Sequence, residues 1–298
     1  MILTSEGQLT DKIYALGIAP YPAYVISGDK KSMMIDAGLN IFGPRYMSDF
    51  YNNFSTESTL DYLLLTHSHF DHLGAMPYMK RQLPDLQVGA HERVKSLLAK
   101  ESVLTFMNNF SDMQKMIFKD FVTDEDVAIT NEEPDLILSE GMEIDLGNLT
   151  CQVIETPGHT ADSLSFYFPE IKALFPGETS GILIGLKGEG VKSEFVSSYT
   201  DCIKSIEKLM DLDLDFLGIS HVFSLTGEDA QGFMARALTA AEDYRKLIEY
   251  YLNEAHSNIE ETIELMVKKE YEEKGNIFQE KNAYKANLTA QVKSIAQL

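Results

Sequence analysis

Three imidazoles and a carboxylate fall within the six residues from His67 to His72, namely His67, His69, Asp71 and His72. Neutral imidazole and carboxylate are ligands that zinc and iron accept, and a catalytic ion keeps one coordination position open for water. A helix cannot gather this group, because residues two apart in a helix point to different faces. A loop can wrap all four around one point. The run before it, Tyr62-Leu63-Leu64-Leu65, is continuously apolar and predicts a strand buried in a covered sheet. Loops at the carboxyl ends of such strands are where open α/β sheets place their sites.

The same layout recurs downstream. An apolar strand over Cys151 to Ile154 leads into Thr156-Pro157-Gly158-His159-Thr160, a tight turn that presents His159 rigidly as a further ligand. A strand over Ala173 to Phe175 runs into Pro176-Gly177-Glu178 and sets a carboxylate at its end. Phe216 to Ser220 reads as the last strand, with His221 directly after it. Two other strand-end residues carry less. Asp36 closes the run Ser32 to Asp36 and either orients a ligand or caps a strand end. His91 follows a strand over Leu86 to Ala90 with no other ligand type beside it, so it reads as an ordinary loop or helix-start residue.

The elements between these points follow from spacing and turn chemistry. Ile13 to Ile18 and Ala23 to Ser27 read as strands, and Gly28-Asp29-Lys30 turns into the next. Leu73 to Leu83 reads as a helix closed by Pro84. Residues 92–130 read as a helical insertion in which Leu97, Phe106, Met107, Phe110, Met113, Met116 and Phe118 recur at helical spacing. Such a stripe is chiefly core packing, and its alternative use is to line an apolar substrate pocket. Residues 135–155 return to strands around Gly141 and Gly147, and Leu164 to Phe168 is another. Gly181 to Gly190 holds four glycines but neither a P-loop ending nor the dinucleotide fingerprint, and reads as a mobile loop. Ser198 to Met210 reads as a helix. From Gly227 the apolar residues Phe233, Ala237, Ala240, Tyr244, Leu247 and Tyr251 mark an amphipathic helix, followed by helices over Ile259 to Lys274 and Lys281 to Ala296. This texture divides the chain into a domain over residues 1–227 and a helical tail over 228–298.

Composition narrows the setting. The 298 residues are 44% hydrophobic and 24% charged, ordinary values for a globular chain. Two cysteines, Cys151 and Cys202, make no disulfide framework and suit a reducing cytoplasm. No basic region followed by an apolar run marks a signal peptide in Met1 to Lys12, and no stretch has the length of a membrane span. With 25 Lys and Arg against 46 Asp and Glu, the formal charge of −21 disfavours nucleic acid and anionic membrane as partners.

Collected, His67, His69, Asp71, His72, His159, Glu178 and His221 use five of the seven histidines. Over residues 10–225 the pattern resembles the metallo-β-lactamase superfamily of hydrolases, with its His-x-His-x-Asp-His motif and later His, acidic and His ligands. The resemblance implies an α/β fold, a four-layer αββα sandwich with helices outside and metals at one edge. It implies two divalent metal ions, iron or zinc with manganese as a further candidate. His67, His69 and His159 would hold one, and Asp71, His72 and His221 the other. Glu178 stands where the superfamily usually has a bridging Asp, one methylene shorter, so metal spacing and filling of the second position turn on it. His221 lies in Ser-His-Val rather than Gly-His-Gly or Ser-His-Gly. The redox branch has Glu where this chain has His69, so the hydrolytic branch is expected. Such ions activate water for attack on a carbonyl or phosphoryl centre, with Asp71 orienting that water or taking its proton.

Chain length, ligand spacing, the helical insertion and the helical tail are also similar to the quinolone-signal response thioesterase subgroup. That resemblance implies an acyl-coenzyme A-type thioester substrate and a tail that caps the site. The alternatives are a lactonase assisted by a tyrosine such as Tyr199, a phosphodiesterase, which the acidic charge opposes, and a regulatory protein that retains the metal site. The expected partner is a small molecule, with a homodimer through the tail helices as the expected self-association.

Overall fold

In the computed structural model, residues 1–55, 58–185, 187–277, 279 and 281–298 are described. The chain opens with β1 (Ile2–Thr4), then lays down β2 (Gly7–Gln8), β3 (Ile13–Ile18), β4 (Tyr21–Ser27), β5 (Ser32–Ile35), β6 (Tyr62–Leu64), β7 (Gln87–His91) and β8 (Leu136–Leu138). The strands from β2 to β8 form one sheet in chain order, antiparallel through β5 and parallel from β5 to β8. The second sheet adds β9 (Glu143–Asp145), β10 (Thr150–Glu155), β11 (Leu164–Phe168) and β12 (Ala173–Phe175). A hairpin of β13 (Ile182–Ile184) and β14 (Gly190–Lys192) stands apart, and β15 (Phe216–Gly218) and β16 (Phe223–Thr226) complete the set. Among the described residues the second sheet has the order β1-β16-β15-β12-β11-β10-β9.

Strand alternation decides the layers. In β4, Tyr24 and Ile26 enter the core between the sheets, whereas Ala23 and Val25 face the helices outside. In β12, Ala173 and Phe175 face inward and Leu174 faces outward. Both sheets therefore bury both faces, which is why their strands read as continuous apolar runs. The outer cluster of the first sheet is covered by α1 (Gly43–Asn53), α2 (Phe70–Leu73), α3 (Met76–Gln82), α4 (Glu92–Leu98) and α5 (Glu101–Lys115). The second sheet is covered by α6 (Tyr199–Met210), α7 (Glu228–Gln231), α8 (Phe233–Glu254), α9 (Ile259–Met266) and α10 (Lys281–Ala296). This is the four-layer αββα sandwich. The apolar faces of the last helices are spent on this layer, since Phe233, Ile248, Met266, Leu288 and Val292 are all buried in it.

Several elements differ from the sequence expectation. The helix over Leu73 to Leu83 is two helices broken at Gly74, where an added Cβ would lie 2.4 Å from the Phe70 carbonyl oxygen. The insertion over 92–130 is helical only through Lys115 and in one 3-10 turn over Lys119–Phe121. Its Phe106, Met113 and Met116 lie on the surface, not in the core. Apart from Leu186, which lies outside the described residues, the Gly181 to Gly190 stretch is no simple loop: Ile182 to Ile184 pair antiparallel with Gly190 to Lys192. Phe216 to Ser220 is not the last strand, because β16 returns beside β15 and pairs in turn with β1. The helix over Ile259 to Lys274 widens into a π-helical segment over Val267–Glu273. No described helix is long and apolar enough to cross a membrane.

Candidate metal centre

The ligand candidates lie beyond the carboxyl ends of strands, with His67 and His69 in the loop after β6 but Asp71 and His72 in the short helix α2, so loop and helix together, and not a loop alone, gather the first four. His67 comes after β6, His159 after β10, Glu178 after β12 and His221 after β15. Two glycines make the turns feasible. Gly158 has φ +144°, and a Cβ there would come within 2.4 Å of Cys202 Cα on α6. Gly177 has φ +58° and faces the Thr66 side chain, where a Cβ would approach to 2.9 Å. Each turn is thus pressed against its neighbour, and this brings side chains 90 and more residues apart into one cluster.

The cluster contains two groups. His67, His69 and His159 form one, and Asp71, His72, Glu178 and His221 the other, with the ligand atoms of each group within 4.8 Å of one another. Glu178 joins them. Its Oε1 lies 3.1 Å from His72 Nε2 and 2.9 Å from His221 Nε2, while Oε2 lies 3.4 Å from His159 Nε2 in the other group. All seven residues expected from the sequence are brought together.

The far nitrogen of four imidazoles is held by the surrounding chain. Thr66 Oγ1 donates to the Asp36 carboxylate, so it accepts from His67 Nδ1 at 3.0 Å. His72 Nδ1 donates to Asp36 at 2.9 Å, His159 Nδ1 to the Glu194 carbonyl at 2.6 Å, and His221 Nδ1 to the Pro20 carbonyl at 2.7 Å. With Nδ1 engaged outward, the Nε2 of each of these rings is turned into the cluster, where those of His72 and His221 meet Glu178, the arrangement found around metal-ligating histidines. His67 Nε2 is buried and has no hydrogen-bond partner. A buried acceptor left bare is costly, and one facing other imidazoles and a carboxylate is what a cation would satisfy. The donor set therefore fits divalent metal.

Electrostatics separate the two groups. Burial, then neighbouring His72, His69 and His159, hold the His67 pKa well below that of an ordinary imidazole. Burial and His159 lower that of His69 to about 4. Burial also opposes charge on His72, but Asp36 and Asp71, with hydrogen bonds to Asp36 and Glu178, outweigh it and raise its pKa well above normal. His221 is raised too, burial being outweighed by Glu178. Burial likewise opposes ionisation of Glu178, yet His159, His221 and His72 together hold its pKa well below the usual carboxylate range.

The support residues were only partly visible in the sequence. Asp36 has both proposed features, ending its strand and orienting a ligand, and it does so at φ +59°, a left-handed conformation uncommon for a non-glycine residue. His91 caps α4 by accepting from Arg93 N at 3.1 Å and belongs to neither group. Tyr199 is not at the centre; it packs against Phe195 and Arg245. The tyrosine beside the ligands is Tyr21, whose ring meets His221 edge-on at 5.7 Å, and whose sequence context gave no signal. Burial, then Asp71 and Glu178, push its pKa up. Glu194 also escaped notice, because its contribution to His159 is a backbone carbonyl. Its side chain pairs with Lys192 and accepts from Asn287 on α10, while Gln291 Nε2 on the same helix donates to the Ser193 carbonyl at 3.0 Å.

Comparison with known proteins agrees with this architecture. The metallo-beta-lactamase fold-containing protein ST1585 of Sulfurisphaera tokodaii is 28% identical over 202 residues, covering 66% of this chain and 71% of that protein. A hydroxyacylglutathione hydrolase of Bradyrhizobium sp. is 28% identical over 158 residues, 53% of this chain, and the match spans only 46% of that relative's length. The crystal structure of the metallo-beta-lactamase family protein TTHA1429 from Thermus thermophilus superposes with a TM-score of 0.63 at 17% identity, covering 96% of this chain and 94% of that one. The sequence model of the metallo-beta-lactamase superfamily matches residues 17–221, a span that runs from β3 to the last ligand candidate. By that match the chain belongs to the metallo-beta-lactamase superfamily.

Proposed function

We propose that the protein is a metal-dependent hydrolase of acyl thioesters, acting on an acyl-coenzyme A-type substrate. The observation that carries the hydrolase reading is the pair of ligand groups joined by Glu178, with the far nitrogens of His67, His72, His159 and His221 already held. The thioester reading is supported by similarity to relatives named hydroxyacylglutathione hydrolase. His67, His69 and His159 would hold one divalent ion, and Asp71, His72 and His221 a second, with Glu178 between them; iron, zinc and manganese all suit these donors. When bound, such ions supply Lewis acidity that lowers the pKa of water and polarises the scissile carbonyl.

The chain's own residues do the rest. Asp36, Thr66, the Glu194 carbonyl and the Pro20 carbonyl fix the ring orientations, so little reorganisation is needed during the reaction. Asp71 keeps part of its side chain exposed, with Oδ2 3.9 Å from His221 Nε2, which supports a role in orienting the attacking water and taking its proton. Water adds to the thioester carbonyl, the C–S bond breaks, and the products are a carboxylic acid and a thiol. Residues 1–227 carry this chemistry, and 228–298 form a helical extension beside it.

The test is a hydrolysis panel on protein loaded with iron, zinc or manganese. It sets acyl-coenzyme A and glutathione thioesters beside lactones and an activated phosphodiester. Thioester turnover that His159→Ala abolishes is expected, and Asp71→Asn is expected to lower kcat by about a hundredfold or more with metal retained. Turnover of lactones or phosphodiesters alone would overturn the thioester assignment, and full activity in Asp71→Asn would remove its proposed role.

A further inference from the structure

The insertion after β7 leaves an apolar helix face in solvent beside the metal centre. Two aromatic tracks connect them. Phe70, next to Asp71, packs against Phe110 at 5.5 Å, and Phe110 against Phe106 at 4.7 Å, with Phe106 57% exposed. On the other side Tyr21 contacts both His221 and Phe118, each at 5.7 Å and close to edge-on. Phe118 follows Met116 and Ile117, which are exposed, Met116 to 85%. The second track starts at the ligand candidate His221 and the first at Phe70, the residue before Asp71 in the chain, and they end on the turn after α5 and on α5 itself.

A helix at the surface of a globular protein normally turns its apolar residues inward. In α5 the buried residues are Met107 and Ser111. Phe106, Phe110 and Met113, spaced four and three apart, share a different face, on which Phe106 and Met113 are exposed. Asp112 and Lys115, which flank Met113 on this helix, pair with each other at 2.7 Å. An exposed apolar surface linked by ring contacts to a reaction centre suits a ligand contact, and methionine adapts to chains of different shape. A polar carrier gains nothing on such a face. A hydrocarbon chain does.

We propose that this face of α5, with Phe70 and Phe118 at its inner end, is the wall on which an apolar acyl chain lies while its carbonyl is at the metal centre. The substrates are then medium- and long-chain acyl thioesters in preference to acetyl. This rests on the hydrolase reading above and adds the acyl class to it.

The experiment measures kcat/KM on the metal-loaded protein for coenzyme A thioesters from acetyl to dodecanoyl. It is repeated with Phe110→Ala and with the surface variant Met113→Gln, each checked for metal content. The expected result is a rise of about fourfold for each methylene laid on the face. In the variants, the octanoyl-to-acetyl ratio falls by about tenfold. A flat chain-length profile with good acetyl turnover overturns the proposal and leaves the thioesterase reading standing. Absence of thioester turnover, with calorimetric affinity for free octanoate to dodecanoate that rises with length and drops in Met113→Gln, keeps the wall and sinks the thioesterase reading. Should Met116→Glu instead convert a dimer to monomer by sedimentation with the length profile unchanged, the face is an interface between copies and the proposal falls.

Discussion

Asp36 carries more of the centre than any residue outside the ligand groups. One carboxylate accepts from His72 Nδ1, from Thr66 N at 2.8 Å and from Thr66 Oγ1, and through Thr66 it also sets His67. Losing it frees two rings, one in each group. Asp36→Ala should therefore weaken metal binding by about 10- to 100-fold, read by competition with a chromogenic chelator. The opposite pKa shifts of the two groups give a second expectation. His72 and His221 are raised, so as pH falls protons compete with metal there first; His69, lowered to about 4, and His67, held well below normal, remain neutral far longer. Stepwise acidification from about pH 7 toward 4 should strip the Asp71, His72, Glu178 and His221 group before the other. Metal content after dialysis at each step measures this, and simultaneous loss from both groups would contradict it. The ligands themselves were legible because each follows an apolar strand. The role of Asp36 was legible only as one of two alternatives, since the choice between them depends on β5 lying parallel to β6 and on no local pattern.

The turns are the elements that convert a sheet edge into a site. Gly158 lies against α6 so closely that Gly158→Ala would force its turn away from Cys202 Cα. The variant should bind less metal at the His67, His69 and His159 group while the second group fills normally, which cobalt absorption titration would resolve; unchanged binding at both would show that the turn can shift without moving His159. Strand positions were readable as apolar runs bounded by turn residues, because both faces are buried, Tyr24 and Ile26 on one side and Ala23 and Val25 on the other. Where pairing is remote or local chemistry misleads, reading failed. β1 joins β16 across more than two hundred residues, with Ile2 opposite Leu225, and nothing in Ile2 to Thr4 announces it. The glycines of Gly181 to Gly190 suggested a loop, yet Gly190 is a strand residue opposite Ile184. The α5 stripe looked like core because periodicity shows which residues share a face and cannot show whether anything covers that face.

Across the whole molecule, the site lies at the seam of two sheets, fed by Asp36 and His67 from one and by His159, Glu178 and His221 from the other. Metal bound there would tie the two layers together in the folded state alone. Saturation at a hundred times Kd adds about 2.7 kcal/mol. Chelation should thus lower the melting temperature by several degrees, about 2–4 °C per kcal/mol for chains of 150–250 residues, in a calorimetric scan with and without chelator. The contact of α10 with the segment carrying Glu194 has a consequence in time. The last ligand candidate is residue 221, but Asn287 and Gln291 hold Glu194 and Ser193, and Glu194 holds His159. During synthesis the ligands leave the ribosome well before the helix that steadies one of them. A nascent chain that has passed residue 221 carries every donor atom, yet the segment that holds His159 is not braced until α10 has been made.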